Sequence, residues 1–353
     1  MIRTAVLAHI IFQLTVAISL NDDVCQGFEV IRGPYVARTE GEIIENKIFI
    51  VEPSSADDES NDYALKIVKD NITLRNVIVY HATNAMGIYG WMPNGLKLEN
   101  VQVIAYGNEW GAQACPTRKP FSGYDCSNIK IYYADDVKMD NVYVENGSRG
   151  ISMVSCPGAQ LEGIYAKNVR GPFPAGQCVQ LGYSDGSTLN NFTCLNELEI
   201  AWPEDSISLY RSSDIEVTNG VVEGSNAPTG ICIMYEGSDP NATGGLIENV
   251  EARYCQGCFS GYPIRDLEQR NNVCASPVCK SDDPPRGGKD YVNMWTAGDN
   301  VRDGVYADNI LVEDSYYYDG CDESEGRVYW DARDDIFVGG APGVTEIFEW
   351  EPK

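Results

Sequence analysis

The densest mixture of charged, aromatic and hydroxyl side chains in the sequence lies between Trp202 and Arg211. Tyr210 and Arg211 are adjacent there, and a cation beside a phenol can act on a uronic acid. That chemistry needs a cation that neutralises the sugar carboxylate and so acidifies the proton at C5, and a base such as Lys, Arg or Tyr near that proton. Arg211 and Tyr210 are candidates for these roles. Lys130 is a third candidate for this catalytic set, on the condition that the fold brings it to the same cleft.

Two acidic residues, Glu204 and Asp205, stand at the start of the same segment. Asp205 is a candidate catalytic residue, and the oxygens of both residues are ligands that suit Ca²⁺. A Ca²⁺ ion held there can replace the cation in the reaction above. A structural role for Arg211 is equally open, because it can form an ion pair with Asp185 or Glu236 on neighbouring segments.

A repeat of two short strands organises the chain, and it predicts how these residues are positioned. In five segments a strand of alternating apolar residues is followed, 12 residues after its first apolar position, by asparagine or once by glycine. The pairs are Ile88 with Asn100, Ile129 with Asn141, Ile151 with Gly163, Val179 with Asn191, and Ile207 with Asn219. Two repeats with insertions begin at Ile231 and Val292, with Asn249 and Asn309, and a capping repeat carries Asn76.

This repeat predicts an all-β solenoid, a right-handed parallel β-helix of about eight rungs with the apolar positions stacked inside. The asparagine column predicts a ladder whose amides turn inward and bond from rung to rung. A leucine-rich repeat also fits Leu96-x-Leu98. That repeat needs only one strand per unit, often with a returning helix, whereas the return segment here is itself strand-like.

The register of the repeat predicts which side chains share the outer face. Aromatic rings beside amides and hydroxyls suit sugar rings, which offer an apolar face and a rim of hydroxyls. The candidate substrate-binding residues are Trp91, Tyr132, Gln180, Tyr183 and Ser208. Lys130, Tyr210 and Arg211 are expected in one cleft with Tyr183. The alternative is an ordinary solvated sheet face.

The first 19 residues predict a secretory signal peptide, with Arg3, an apolar run from Ala5 to Leu20 and the small residues Ala17 and Ser19 before the cleavage point. All 12 cysteines follow it, which indicates disulfides and a secreted, extracellular protein. Cys255-x-x-Cys258 resembles half a zinc site, but the remaining cysteines are poorly spaced for one.

The net charge of −26 opposes binding to nucleic acid and to anionic membranes, and no later run is apolar enough for membrane insertion. The sequence leaves the oligomeric state open. Sequons at Asn71, Asn146 and Asn241 fall in predicted turns, where glycosylation is tolerated. The sequon at Asn191 is expected to stay unmodified, because its amide is predicted to turn inward.

The two-strand repeat, asparagine column and apolar stacks resemble the right-handed parallel β-helix superfamily, often called pectin-lyase-like, over roughly residues 60–315. This resemblance implies an activity on acidic polysaccharides, since many members are lyases, hydrolases or C5-epimerases. The sharper motifs of that superfamily, such as the Asp-Pro-His-Asp run of mannuronan epimerases, are missing here. No catalytic residue is therefore carried over by motif.

The predicted organisation is one domain over 20–353, with insertions at 107–128 and 253–291 and an acidic C-terminal cap at 316–353. Two functions are consistent with it. The first is a secreted polysaccharide lyase, C5-epimerase or glycoside hydrolase that acts on an acidic wall or matrix polysaccharide. The second is a non-catalytic extracellular β-helix that binds glycan or has a structural or adhesive role.

Overall fold

The computed structural model describes residues 27–51, 63–82, 85–106, 126–169, 171, 176–197, 201, 203–225, 231–237, 243–255, 257–261, 264, 266–275, 311–313 and 316–317. The predicted signal peptide, the repeat at Val292, Asn309, the sequon at Asn241 and most of the predicted cap lie outside these residues, as does 107–125 of the first insertion. In the part described, no helix is long and apolar enough to cross a membrane.

Strands joined by turns account for the described chain. In order they are β1 (Glu29–Arg32), β2 (Tyr35–Ala37), β3 (Ile43–Val51), β4 (Tyr63–Ile67), β5 (Thr73–Ala82), β6 (Met86–Trp91), β7 (Lys97–Tyr106), β8 (Ile129–Tyr132), β9 (Lys138–Glu145), β10 (Ile151–Val154), β11 (Gln160–Lys167), β12 (Val179–Gly182), β13 (Thr188–Leu195), β14 (Asp205–Tyr210), β15 (Glu216–Ser225), β16 (Ile231–Glu236), β17 (Leu246–Cys255), β18 (Gly257–Gly261), β19 (Glu268–Arg270), β20 (Val273–Ala275), β21 (Leu311–Glu313) and β22 (Tyr316–Tyr317).

These strands form two parallel sheets between which the chain alternates. Sheet B contains the nine even-numbered strands from β2 to β18, and sheet A contains the other thirteen. Val179 lies opposite Ile151, and Ile207 lies opposite Val179, so one coil takes 28 residues there. The predicted all-β parallel β-helix is confirmed. Residues 257–261 and 266–275 of the second predicted insertion continue the coil and contain β18, β19 and β20.

The core lies between the two sheets and follows the predicted alternation. The inward residues of sheet B are fully or almost fully buried, and each buried aliphatic side chain contributes about 1.5–3 kcal/mol. The stack comprises Leu65, Ile67, Ile88, Ile129, Ile131, Ile151, Met153, Val179, Leu181, Ile207 and Leu209. This core holds the opposite face of each strand toward solvent.

The asparagine column lies at the surface, so the predicted inward orientation of its amides is wrong. Its backbone is left-handed, with φ between 51° and 56° at Asn46, Asn76, Asn100, Asn141, Asn191, Asn219 and Asn249. Each of these residues bends a long strand of sheet A, and asparagine tolerates this conformation better than most side chains. Gly163, at φ 64°, makes the same bend without a side chain.

Hydrogen bonds join several members of this exposed column. Asn100 donates to Asn76 at 3.2 Å, and Asn141 donates to Asn100 at 2.6 Å. Asn219 departs from this pattern, since it donates to Asn190 at 2.8 Å rather than to Asn191. The side chain of Asn191 is exposed and makes no such bond within the described residues.

The register of β16 differs from the sequence alignment by two residues. Ile233, not Ile231, lies opposite Ile207, and Met234 lies beside Ser208. Tyr235 therefore lies opposite Leu209 and is fully buried. Because side chains alternate between the two faces of a strand, a shift of two residues keeps the same side chains inside. The alternating pattern alone therefore does not reveal the shift.

Between cysteines that the structure describes, three disulfides join residues within single coils: Cys178–Cys194, Cys232–Cys255 and Cys258–Cys274. The predicted disulfide bonding is therefore confirmed for these cysteines. The two ends of Cys255-x-x-Cys258 belong to different disulfides, which excludes their use as a zinc-ligand pair.

Candidate functional site

The candidate site is the outward face of sheet B, where the pairing of strands aligns side chains in columns. One column contains Lys66, Tyr89, Lys130, Ser152, Gln180 and Ser208. Beside it stand Trp91, Tyr132, Val154, Gly182 and Tyr210. From Tyr89 to Ser208 these columns are those that the sequence predicts.

At one end of this face Tyr183, Tyr210 and Arg211 form a group that we call the arginine cluster. Arg211 Nη1 donates a hydrogen bond to the Tyr183 hydroxyl at 2.5 Å. The guanidinium lies 5.6 Å from the centre of the Tyr183 ring and 5.1 Å from that of Tyr210. The two rings meet edge to face at 5.9 Å. Two tyrosines therefore hold this cation in place on the outer face.

The electrostatic setting of Arg211 keeps it charged. The hydrogen bond to Tyr183 is the main reason that the pKa of Arg211 is raised. Asp185, one of the ion-pair partners considered for it, accepts a hydrogen bond from the backbone amide of Ser213 at 2.7 Å. Both Tyr183 and Arg211 have φ of 52°, a left-handed conformation at the end of a strand.

At the other end Tyr89, Trp91, Tyr132 and Tyr133 form an aromatic cluster. Ring centres are 5.6 Å apart between Trp91 and Tyr132, and 5.3 Å apart between Trp91 and Tyr133. Trp91 is 45% exposed and Tyr133 is 52% exposed, so these rings present apolar area to solvent. An open cavity of about 520 Å³ adjoins them, lined by Lys66, Val68, Tyr89, Trp91 and Met92.

The two clusters are separated by the strands between them. Lys130 belongs to β8 and Arg211 follows β14, three strand steps away, which is about 14 Å. On the face between the two clusters, Gly182 has no side chain, and the Ser152 hydroxyl donates a hydrogen bond to Gln180 at 3.1 Å. The structure therefore keeps Lys130 apart from Arg211, whereas the predicted common cleft requires the two side chains to be close.

The candidate acid Asp205 lies at the opposite end of β14 from Tyr210, roughly 17 Å along the strand. It is 6% exposed. Burial raises the pKa of Asp205 well above its usual range, and the charges of Glu204 and Glu236 add to this effect. Its carboxylate accepts a hydrogen bond from the amide of Ile231 at 3.4 Å. Asp205 is therefore not part of the arginine cluster.

Glu204 belongs to a chain of polar side chains at the start of the sheet B strands. Gln177 donates to Glu204 at 3.3 Å and accepts from Arg149 at 3.0 Å. Burial is the main cause that raises the pKa of Glu204, with a further contribution from Glu236. This chain fixes Glu204 beside Asp205.

The proposed Ca²⁺ site at Glu204 and Asp205 does not fit the ion. Ca²⁺ takes six to eight oxygen ligands. The described residues contain no group of three or more acidic, histidine or cysteine side chains that could hold a metal. A raised carboxyl pKa also means that these two groups take up protons more readily than ordinary acids. We derive no reaction step through calcium.

Sequence reasoning missed Lys66, which lies in the same column as Tyr89 and Lys130. Its strand, β4, precedes the regular repeat that begins at Ile88. The alternation of Leu65, Lys66 and Ile67 nevertheless carries the signal, because the two apolar neighbours point inward.

No protein-family model matches the chain, and no curated protein matches it. Solved structures that resemble it include an alginate lyase from Paenibacillus sp. str. FPU-7, with 10% identity, a TM-score of 0.41, and coverage of 70% of this chain and 84% of that chain. A complex of the alginate lyase AlyF-OU02 with G6 has 12% identity and a TM-score of 0.44, with coverage of 84% of this chain and 66% of that chain. The A-module of the Azotobacter vinelandii mannuronan C-5 epimerase AlgE4 has 10% identity and a TM-score of 0.38, with coverage of 83% of this chain and 80% of that chain. The class that the strands define is the parallel β-helix, and these likenesses assign the chain no activity.

Proposed function

We propose that this protein is a secreted carbohydrate-active β-helix that binds an acidic wall or matrix polysaccharide along the outward face of sheet B. At the arginine cluster it acts as a polysaccharide lyase or C5-epimerase. The observation that carries the proposal is the position of Arg211, a cation held by Tyr183 and Tyr210 on an exposed sheet face. The three disulfides support secretion, because such bonds persist in oxidising compartments.

The proposed chemistry begins with the carboxylate of the sugar. The planar guanidinium of Arg211 can bind a carboxylate through two parallel hydrogen bonds. Neutralising that charge makes the C5 proton more acidic, because the carbanion that forms next to the carboxyl group is stabilised. Tyr210 contacts Arg211 through its ring, which brings its hydroxyl to the same end of the face as the bound carboxylate.

The two reactions share the removal of this proton by Tyr210 and then diverge. In a lyase, the electron pair from the C5–H bond forms a C4=C5 double bond while the bond from C4 to the glycosidic oxygen breaks. The departing oxygen takes up a proton, either from Tyr210 or from water. In an epimerase, no bond to oxygen breaks, and a proton returns to C5 from the opposite face of the ring.

The test is incubation of the purified protein with a panel of polyuronates. A lyase produces the ultraviolet absorbance of unsaturated uronates, and an epimerase changes the anomeric proton spectrum without that absorbance. Arg211→Ala should lower kcat/KM by about a hundredfold or more, by analogy with the loss of one charge-stabilising donor. Tyr210→Phe should lower kcat with little change in KM.

Lys97→Gln is the matched control, since it removes an exposed cation from sheet A and should leave turnover unchanged. Full activity of a Tyr210→Phe, Arg211→Ala double variant with unchanged circular dichroism would overturn the catalytic assignment.

A second candidate function, glycan binding without catalysis, is favoured by the distances between the other polar groups. Lys130 lies three strands from Arg211, and Asp205 is buried at the far end of β14. Binding of a polyuronate measured by calorimetry, without any turnover of the panel, would favour this candidate over the enzyme.

A further inference from the structure

Three exposed apolar side chains stand together at the open cavity of about 520 Å³ beside the aromatic cluster. Trp91 and Met92 line the cavity, and Tyr133 contacts the Trp91 ring from the next coil. Met92 is 56% exposed, and its two neighbours are exposed to a similar degree. Because the core lies between the two sheets, these side chains add nothing to it. A group of exposed apolar residues is typical of a binding surface.

The backbone at Met92 and Tyr133 supports the same conclusion. Their φ angles are 58° and 55°, in the left-handed region that large side chains rarely adopt. Where the strands of sheet A bend at positive φ, the sequence places asparagine or glycine, which tolerate this conformation. Directly after β6 and β8 it places a large side chain instead. Backbone strain of this kind is frequent at ligand-binding sites.

One side of the cavity is an aromatic wall. The rings of Tyr132 and Tyr133 pack against Trp91 from β8 and the residue that follows it. The cavity adjoins Trp91 on the other side, where β4 and the residue after it contribute Lys66 and Val68. The indole ring therefore offers a flat surface that neighbouring rings support from behind.

The other side of the cavity carries a cation. The Lys66 ammonium lies 5.3 Å from the ring centre of Tyr63 and 5.5 Å from that of Tyr89. Lysine has a flexible four-carbon stem, so the ammonium can turn toward an anion bound in the cavity. Since Tyr89 is the strand partner of Lys66 and Trp91 stands two residues beyond it, the backbone positions of the cation and the indole are about 8 Å apart.

The composition of the lining favours an aromatic acid over a sugar. Val68 and Met92 form no strong hydrogen bonds through their side chains. None of the five lining residues has a carboxylate or an amide side chain to accept hydrogen bonds from sugar hydroxyls. The lining thus suits a ligand with one anionic group and a flat apolar ring.

We propose that this cavity binds a small aromatic carboxylate, whose charged group pairs with Lys66 and whose ring stacks on Trp91. A benzene ring joined to a carboxyl group through two carbons, as in trans-cinnamate, spans the interval between them. The thioether of Met92 adapts its shape to the bound ring. Trp91 on β6 is four strand steps from β14, about 19 Å, so this inference goes beyond the proposed function and does not depend on the arginine cluster.

Calorimetry with matched probes separates charge from stacking. We expect trans-cinnamate to bind about fivefold more tightly than trans-cinnamamide, which lacks the charge that pairs with Lys66. It should bind about threefold more tightly than trans-3-cyclohexylacrylate, whose saturated ring does not stack. The ring protons of bound cinnamate should move upfield in the proton spectrum, because a stacked indole shields them.

Lys66→Gln should weaken cinnamate binding about fivefold and leave cinnamamide binding unchanged. Trp91→Leu should weaken the binding of both about tenfold and remove the upfield shift. Lys97→Gln and Tyr165→Leu are the matched controls, since they remove an exposed cation and an exposed aromatic ring from sheet A. Both controls should bind cinnamate like the natural protein.

Each contrary result overturns a stated part of the inference. Equal binding of cinnamate and cinnamamide would overturn the role of Lys66, and equal binding of cinnamate and the cyclohexyl acid would overturn stacking on Trp91. Displacement of cinnamate by an equal concentration of glucuronate would overturn the aromatic class and assign the cavity to a sugar acid. Absence of cinnamate binding to the natural protein would overturn the site and leave the proposed function standing.

Discussion

His81 gives the structure an acid sensitivity whose size can be worked out. Its side chain is completely buried. Nδ1 donates to the carbonyl oxygen of Ala85 at 2.7 Å, which leaves Nε2 without a proton and 3.2 Å from the amide nitrogen of Asn128. Protonation of Nε2 would place its N–H against another donor, because that amide nitrogen donates to the carbonyl oxygens of Val103 and Glu145. Burial lowers the pKa of His81 from its ordinary 6.5 to about 4.

The direction of the effect follows from the proton balance. Between pH 6.5 and about 4 the unfolded chain carries a proton on His81 and the folded protein does not. The free energy of unfolding therefore falls as the pH falls through this window. The difference between the two pKa values corresponds to a loss of about 3 kcal/mol at pH 4 and below.

The measurement is denaturant unfolding of the natural protein and of His81→Gln between pH 4 and 8. Glu204 and Asp205 have raised pKa values, so they stabilise the fold as the pH falls and oppose the effect of His81. Subtracting one pH curve from the other removes this shared contribution. The difference between the curves should change by about 3 kcal/mol over the window. Parallel curves would refute the assignment of a buried neutral His81.

Two further predictions concern the disulfides and the surface asparagines. Reductant should lower the thermal midpoint markedly, because the three disulfides close loops of 16, 23 and 16 residues and each such loop contributes about 3 kcal/mol; an unchanged midpoint in the presence of titratable free thiols would contradict this. Asn191 is exposed, Asn219 bonds to Asn190 instead, and Gly163 leaves room on the neighbouring coil. In a host that glycosylates, peptide mapping should therefore find sugar on Asn191, and an unoccupied Asn191 beside an occupied Asn71 would show that the bend excludes it.

The sequence predicts the fold well because alternation and spacing report burial directly. Ile129 and Ile131 repeat at Ile151 and Met153, and the structure stacks all four inside. The spacing of the repeat locates the asparagine column, but it does not give the physical role of the column. A strand bend at positive φ and an inward amide both favour asparagine, and only the three-dimensional path of the chain distinguishes them.

The site is less accessible to sequence reasoning because it depends on distances across strands. The columns hold as far as Ser208 and then fail at Ile231, where the strand is shifted by two residues. The pattern also groups Lys130 with Arg211, although each intervening strand adds about 4.8 Å. The burial of His81 has no sequence signal, since it depends on Asn128 from a different coil.

The most direct test of the proposed function is a crystal structure of the protein with a bound hexamer of a polyuronate. We expect the sugar to lie along the outward face of sheet B, with one carboxylate hydrogen-bonded to the Arg211 guanidinium. Sugar bound instead at another surface, such as the stacked rings of Tyr143 and Tyr165 on sheet A, would contradict it.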